Sequence, residues 1–262
     1  MTILQADRLS IAFGGVRAIN DVSVTIESTQ VYSIIGPNGS GKTTLFNLIS
    51  GIYTPDEGSI RLAGETVTGL APDQLARRGL SRTFQNLQIF SRMSVLENVM
   101  VGRHRHEHTG IVADLLCWPS VARQNRATRD AARAALARVG LDRSAEQAAG
   151  SLPYGALKRL EVARALASEP TVLLLDEPAA GCNPVETQEI DGVIRSIVKD
   201  GIAVVLVEHD MRLVMNISDH IQVLASGRTL AEGTPEEVRS NVAVVEAYLG
   251  VHGSQGTVRA LD

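Results

Sequence analysis

Residues 31–49 read Val31-Tyr32-Ser33-Ile34-Ile35-Gly36-Pro37-Asn38-Gly39-Ser40-Gly41-Lys42-Thr43-Thr44-Leu45-Phe46-Asn47-Leu48-Ile49. An apolar run leads into a glycine-rich turn, and the turn leads into a helical pattern. The turn fits G-x-x-x-x-G-K-[ST], the pattern of a phosphate-binding loop. Glycines let the backbone reach positive φ and approach a ligand closely. A curled loop points successive N–H groups inward, and the following helix adds the partial positive charge of its N-terminus, so the pair binds an anion. Gly36, Pro37, Asn38, Gly39, Ser40, Gly41, Lys42, Thr43 and Thr44 are therefore the candidate nucleotide-binding residues. Lys42 has the reach for the β- and γ-phosphates of ATP, and the Thr43 hydroxyl suits Mg²⁺.

Composition narrows the class. The chain has 262 residues and is 44% hydrophobic, enough for one large α/β domain with a substantial core. Its formal charge of −4 argues against general nucleic-acid binding. The cysteines, Cys117 and Cys182, lack metal-ligand spacing, which points to a reducing compartment. The first residues lack the pattern of a signal peptide, and no run approaches the ~18 apolar residues of a membrane span. Work at a membrane is then expected to need another polypeptide that crosses it.

Outward from the loop, residues 2 to 35 read as strands, with Leu9, Ile11 and Phe13 alternating before a Gly14-Gly15 turn. Phe13 either stacks on a nucleobase or packs in the core, and the residues alone leave both open. Gly58 to Leu62 reads as a strand. Pro72 to Gly79 reads as a short helix closed by glycine, and Leu80 to Gln85 as a strand ending in glutamine. From about 86 to 165 the pattern is mainly helical. Arg123, Arg126, Arg129 and Arg133 are expected on a solvated helix face, and His104, His106 and His108 in a solvated surface run rather than a metal site.

Thr171-Val172-Leu173-Leu174-Leu175-Asp176-Glu177 is a continuous apolar strand ending in paired acids. Ligands bind at that edge of an open α/β sheet. Asp176 is the candidate for holding Mg²⁺ through water, and Glu177 for orienting or deprotonating the attacking water. A helix is expected from Pro184. A second apolar strand, Ile202 to Val207, ends in Glu208-His209-Asp210, where His209 is placed to bond a γ-phosphate. A hairpin around Gly227 and a helix from Val242 to Leu249 follow. The polar tail 251–262 is expected to be mobile.

In order, the loop, Gln85, the Asp176-Glu177 strand and His209 resemble the ABC ATPases. Leu152-Pro153-Tyr154-Gly155-Ala156 and the helix after it look like the family's signature segment in variant form. Within that superfamily the chain is most similar to the ATP-binding subunits of branched-chain amino acid importers. Phe13 to Ala18, Arg82-Thr83-Phe84-Gln85, Glu177 to Pro184, Val207 to Met211 and Ala247-Tyr248-Leu249-Gly250 carry this. The resemblance implies an α/β fold: an ABC-type P-loop NTPase core with a mainly parallel sheet, N-terminal antiparallel strands and a helical subdomain. One ATPase domain would span 1–250, with the helical subdomain at about 86–165.

It also implies roles. Phe13 would stack on adenine. Glu177, His209 and Gln85 would be catalytic. Thr43, Gln85 and Asp176 would serve Mg²⁺. Leu152, Tyr154 and Gly155 would contact the nucleotide of a second ATPase subunit in a head-to-tail dimer. Multi-span permease subunits would be the direct membrane partners, an extracytoplasmic solute-binding protein an indirect one, and nucleic acid none. The chain would sit peripherally on the cytoplasmic face of the inner or plasma membrane. The imported solute would be a branched-chain or related amino acid. Alternatives are urea or a short amide, or, in another class, a soluble ATPase acting on nucleic acid or ribosomes.

The signature departs from the L-S-G-G-Q pattern. Pro153 stands where a serine hydroxyl would bond the γ-phosphate, and such a charge-assisted bond contributes roughly 1.5–3 kcal/mol. This signature is expected to support its opposite site weakly.

Overall fold

A computed structural model describes residues 1–85, 87–104 and 119–251. The chain opens with β1 (Thr2–Phe13) and β2 (Val16–Glu27), a long antiparallel hairpin turned by Gly14-Gly15. Both turn glycines have positive φ, 55° and 85°, the conformation that a two-residue hairpin loop needs. β3 (Val31–Ile35) enters the phosphate loop and α1 (Lys42–Ile49) leaves it. β4 (Glu57–Leu62) pairs back onto β1, with a short β5 (Glu65–Thr66) at its edge. Then come α2 (Pro72–Arg77), β6 (Leu80–Arg82), α3 (Val95–Val101) and α4 (Pro119–Arg138).

The second half runs α5 (Tyr154–Leu166), β7 (Val172–Asp176), α6 (Pro184–Lys199), β8 (Ala203–Val207), α7 (Met211–Ile217), β9 (His220–Ala225), β10 (Arg228–Gly233), α8 (Pro235–Ser240) and α9 (Val242–Val251). One sheet has the order β2-β1-β4-β5, all antiparallel. The other has the order β10-β9-β3-β8-β7-β6, parallel except for β10.

Every residue of β3, β7 and β8 is buried. Their alternate side chains feed two cores, which is why these strands read as unbroken apolar runs rather than alternating ones. Leu173, Leu175, Val204 and Leu206 join α3, α4, α5 and α6 in one core. Val172, Leu174, Val205 and Val207 join α1 and the antiparallel sheet in the other. A third cluster packs Ile35, at the mouth of the phosphate loop, against Val214, Val238 and Val244. Helix α6 shows how such a face is made. Asn183 caps it by accepting the Val185 and Glu186 N–H groups, Pro184 starts it, and Ile190, Val193, Ile194 and Ile197 form its buried stripe. Burying each such aliphatic side chain contributes about 1.5–3 kcal/mol.

The register sets up the site. Ile34 lies opposite Val207, and Asp176 is opposite Val207 on the other side. The loop after β3, Glu208-His209 after β8, Asp176-Glu177 after β7 and the segment after β6 therefore leave adjacent strands at one sheet edge, where ligands collect.

Some expectations need correction. The strand expected over Leu80 to Gln85 stops at Arg82. Thr83 still donates to the Leu174 carbonyl, but the Phe84 N–H turns to the Glu161 carboxylate, outside the sheet. The mainly helical pattern of 86–165 corresponds to α3, α4 and most of α5 among the described residues. Residues 87–93 are irregular, and 3₁₀ turns at Asp142–Ser144 and Ala149–Ser151 interrupt it. Arg123, Arg126, Arg129 and Arg133 are exposed, while Ala132, Ala135 and Leu136 are buried. His106, His108, Cys117 and residues 252–262 lie outside the described residues.

Candidate nucleotide site

Local sequence dictates the phosphate loop. Gly41 caps α1 at φ 105°, and a Cβ there would meet the Ala18 carbonyl oxygen at 2.8 Å and Ile19 Cδ1 at 2.7 Å. Gly39, at φ 78°, has open space where a Cβ would stand, so its left-handed backbone rather than crowding favours glycine. Ser40 is buried, and its Oγ has no hydrogen-bond partner among the described residues. Lys42 Nζ curls over the loop and donates to the Gly36 carbonyl at 2.7 Å and the Pro37 carbonyl at 3.1 Å. Burial lowers the Lys42 ammonium from its ordinary range, against the opposing pull of Glu177. An anion delivered to this loop relieves that desolvation. A cationic lysine and an unpartnered buried hydroxyl at the N-terminus of α1 fit a polyphosphate. Thr43 is exposed at the first turn of α1, and Thr44 is half-buried behind it.

The carboxylates separate into two environments. Asp176 is 5% exposed, and its Oδ2 takes Arg82 Nη2 at 2.8 Å. Arg82 also donates to Asn47 Oδ1 and Ser50 Oγ at 2.7 Å and lies between the rings of Phe46 and Phe84. The Asp176 N–H donates to Thr83 Oγ1. Glu177, the next residue, is more open and has φ 50°, rare for a side chain with a Cβ. Its Oε2 takes Gln85 Nε2 at 3.1 Å, and its Oε1 faces His209 Nδ1 at 3.6 Å. The structure thus brings Gln85, Glu177 and His209 together.

Phe13 is not a core residue. It is 45% exposed and meets Tyr53 edge to face, with centroids 5.2 Å apart. The signature residues form a different neighbourhood. Leu152 packs on the helical core, Tyr154 is exposed beside Gly181, and the Gly155 N–H donates to Glu186 Oε1 at 3.1 Å. Pro153 is the N-cap of α5 and supplies no side-chain bond.

Arg82, Tyr53 and Glu208 lie at the site without being singled out by the sequence pattern. Glu208 is buried and accepts the N–H groups of Ala179, His209 and Asp210. Burial still raises its carboxyl above the usual range. Its position beside His209, after a buried strand, was the available signal. Tyr248 of α9 also reaches the phosphate loop. Its hydroxyl meets the Gly36 N–H, and burial pushes it up to about 12. Among the described residues, no group of three or more His, Cys, Asp or Glu side chains is arranged to hold a metal ion by itself. Nor is any helix among them long and apolar enough to cross a membrane.

A strand–loop–helix phosphate cradle beside paired carboxylates at a parallel sheet edge defines a P-loop NTPase of the ABC cassette type. Residues 19–180 match the ABC transporter family, and residues 228–254 match the family described as branched-chain amino acid ATP-binding cassette transporter. The chain belongs to the ABC transporter family, among the ATP-binding subunits of the branched-chain amino acid type, and its domain is an ABC ATPase.

Among the similar proteins is BraF of Pseudomonas aeruginosa, a high-affinity branched-chain amino acid transport ATP-binding protein. It is 46% identical over 95% of this chain and 98% of its own length. LivG of Escherichia coli K12, with the same description, is 44% identical over the same shares. The ADP conformation of an ATP-binding cassette from an ABC transporter superposes with TM-score 0.83 at 32% identity, covering 95% of this chain and 99% of that one.

Proposed function

We propose that this chain hydrolyses ATP to power a membrane importer of branched-chain or related amino acids. The observation that carries it is the Glu177 carboxylate, held between Gln85 Nε2 and His209 Nδ1 at the strand edge that also carries the phosphate loop. Relatives named for branched-chain amino acid transport supply the solute class.

The unpaired N–H groups of the loop between Asn38 and Thr44 and the Lys42 ammonium hold the phosphates. The exposed Phe13 offers its ring to adenine. Thr43, Gln85 and Asp176 present the oxygen donors that suit Mg²⁺, a hard cation commonly held by one or two protein oxygens, water and substrate phosphates. An Mg²⁺ ion held by these residues would supply the charge neutralisation that phosphoryl transfer needs. Glu177 takes a proton from, or orients, the attacking water. His209 donates to the γ-phosphate from the opposite side of that carboxylate.

Two surfaces await partners. A groove of 520 Å³ between the segment after β6 and α5 is lined by Phe84, Leu87, Ile89, Phe90, Val101 and Arg164, among others. Phe84 and Phe90 are about half exposed there. This groove receives a permease segment and passes its motion to Gln85. Leu152, Tyr154 and Gly155 face a second ATPase subunit, the cassette working on the cytoplasmic side of the membrane. The helical residues at about 86–165 form the subdomain that carries both surfaces within one ATPase domain, 1–250.

The test is purification of the complex from its native membrane, followed by reconstitution in vesicles with ATP inside and labelled leucine outside. Uptake that Glu177→Gln abolishes, with a multi-span permease recovered, is the expected result. Recovery with ribosomes, or uptake of urea but not leucine, would overturn the importer reading or its solute.

A further inference from the structure

Lys158 lies one turn into α5 and is 3% exposed. A buried ammonium needs partners to offset its lost hydration. Its hydrogen-bond acceptor is a main-chain oxygen, the Glu177 carbonyl, 3.3 Å from Nζ. The Tyr154 ring lies 5.9 Å from the same nitrogen. Of the nearby carboxylates, Glu161 feels the Lys158 charge but takes the Phe84 N–H, and Glu186 takes those of Gly155 and Asn183.

The carbonyl that Lys158 holds belongs to a left-handed residue. Glu177 sits at φ 50°, a conformation that persists only where the surroundings over-determine it. Its N–H is tied to the Val207 carbonyl at 2.9 Å, and its own carbonyl takes the Ala180 N–H at 3.2 Å as well as Lys158. The first bond comes from the sheet, the second from the local turn. Lys158 is the long-range partner, reaching in from the helix that starts at Tyr154-Gly155.

Resting on the reading of Glu177 as the group that activates water, we infer that Lys158 is a positioning residue. It fixes the left-handed peptide after Glu177, so that the carboxylate stays between Gln85 and His209. A displacement of the first turn of α5 then reaches the hydrolytic carboxylate directly. Because Lys158 bonds to the main chain, it acts on where Glu177 points and not on nucleotide affinity.

The experiment compares Lys158→Met and Lys158→Arg in the full chain, with and without Glu177→Gln. Lys158→Met should lower kcat about 10- to 100-fold, the loss expected when a reacting group is displaced by about 1 Å. Affinity for a fluorescent ADP analogue should be unchanged, and Lys158→Arg, which keeps a cationic donor, should recover most of kcat. In the Glu177→Gln background, Lys158→Met should cause no further loss of the residual phosphate release, as for residues acting as a unit. If the methionine variant does not fold, Lys158→Gln, polar but on a stem too short to reach the Glu177 carbonyl, takes its place with the same expected loss. Wild-type kcat in Lys158→Met, or an equal fold-loss in the Glu177→Gln background, would overturn the inference. A wild-type chain without ATPase activity would instead sink the functional reading on which it rests.

Discussion

Arg82 and Asp176 form a buried ion pair, 2.8 Å between Nη2 and Oδ2, with side chains 8% and 6% exposed. It joins the end of β6 to the end of β7, and through Asn47 and Ser50 it reaches the end of α1. Removing one partner leaves the other charge buried and uncompensated, at a cost of about 3–5 kcal/mol. Arg82→Met should therefore lower the stability measured by urea unfolding by about that much. Adding Asp176→Asn should recover part of the loss, because the orphaned charge is then gone. Additive losses in this double-mutant cycle would show that the pair is not coupled.

Phe13 and Tyr53 form an exposed aromatic pair that the core does not use. Stacking of a base on an aromatic ring contributes about 1–3 kcal/mol. Phe13→Ala should weaken ATP binding by about 5- to 160-fold in titration calorimetry, the equivalent of that energy. Phe13→Tyr should leave it nearly unchanged. Equal affinity for ATP and bare triphosphate in the wild type would show that no ring stacks there.

Pro153 caps α5 without a side-chain bond, in the signature next to Gly155. Pro153→Ser supplies a hydroxyl that serves the helix alone and also a γ-phosphate brought by a second subunit. The helix should gain about 0.5–2 kcal/mol, read as a higher unfolding midpoint. ATP-driven dimerisation should tighten by about 10- to 100-fold, read by sedimentation, from a charge-assisted bond of roughly 1.5–3 kcal/mol. A gain in midpoint without any gain in dimerisation would confine the effect to the helix.

Glu208 gives the molecule a pH dependence. Burial raises its folded-state value above the ordinary 4.5, so folding favours the protonated acid. That contribution is fully present below the unfolded value and is lost as pH rises through the higher folded value. Glu208→Gln has no such proton and also gives up a carboxylate oxygen that two N–H groups use. The wild type should therefore be the more stable at low pH, with its advantage shrinking as pH climbs above 4.5. Unfolding midpoints across that range test this, and a constant difference would be the wrong outcome.

Much of the fold was legible because the relevant signals are local. Strand β3, the glycines and Lys42 are consecutive, and Gly41 must be glycine because Ala18 and Ile19 leave no room for a Cβ. The unbroken apolar runs of β7 and β8 reported burial on both faces before any neighbour was known. The end of β6 was misjudged because the bond that pulls Phe84 out of the sheet comes from Glu161, 77 residues away. Tyr53 carries no periodic signal because its pairing with Phe13 joins the tip of the β1–β2 hairpin to the loop after α1.

The sequence by itself determined the phosphate loop, the acids at Asp176 and Glu177, and the strand that delivers His209, since each is a run of adjacent residues with a required chemistry. Only the tertiary structure decided which groups those acids face. Packing placed Arg82 against Asp176 and left Glu177 to Gln85 and His209, two neighbours in sequence with opposite surroundings. It also brought Lys158 from a distant helix onto the Glu177 carbonyl. Charges and hydrogen bonds act across space, and the order of strands β3-β8-β7-β6, not the order of residues, fixes which groups share that space.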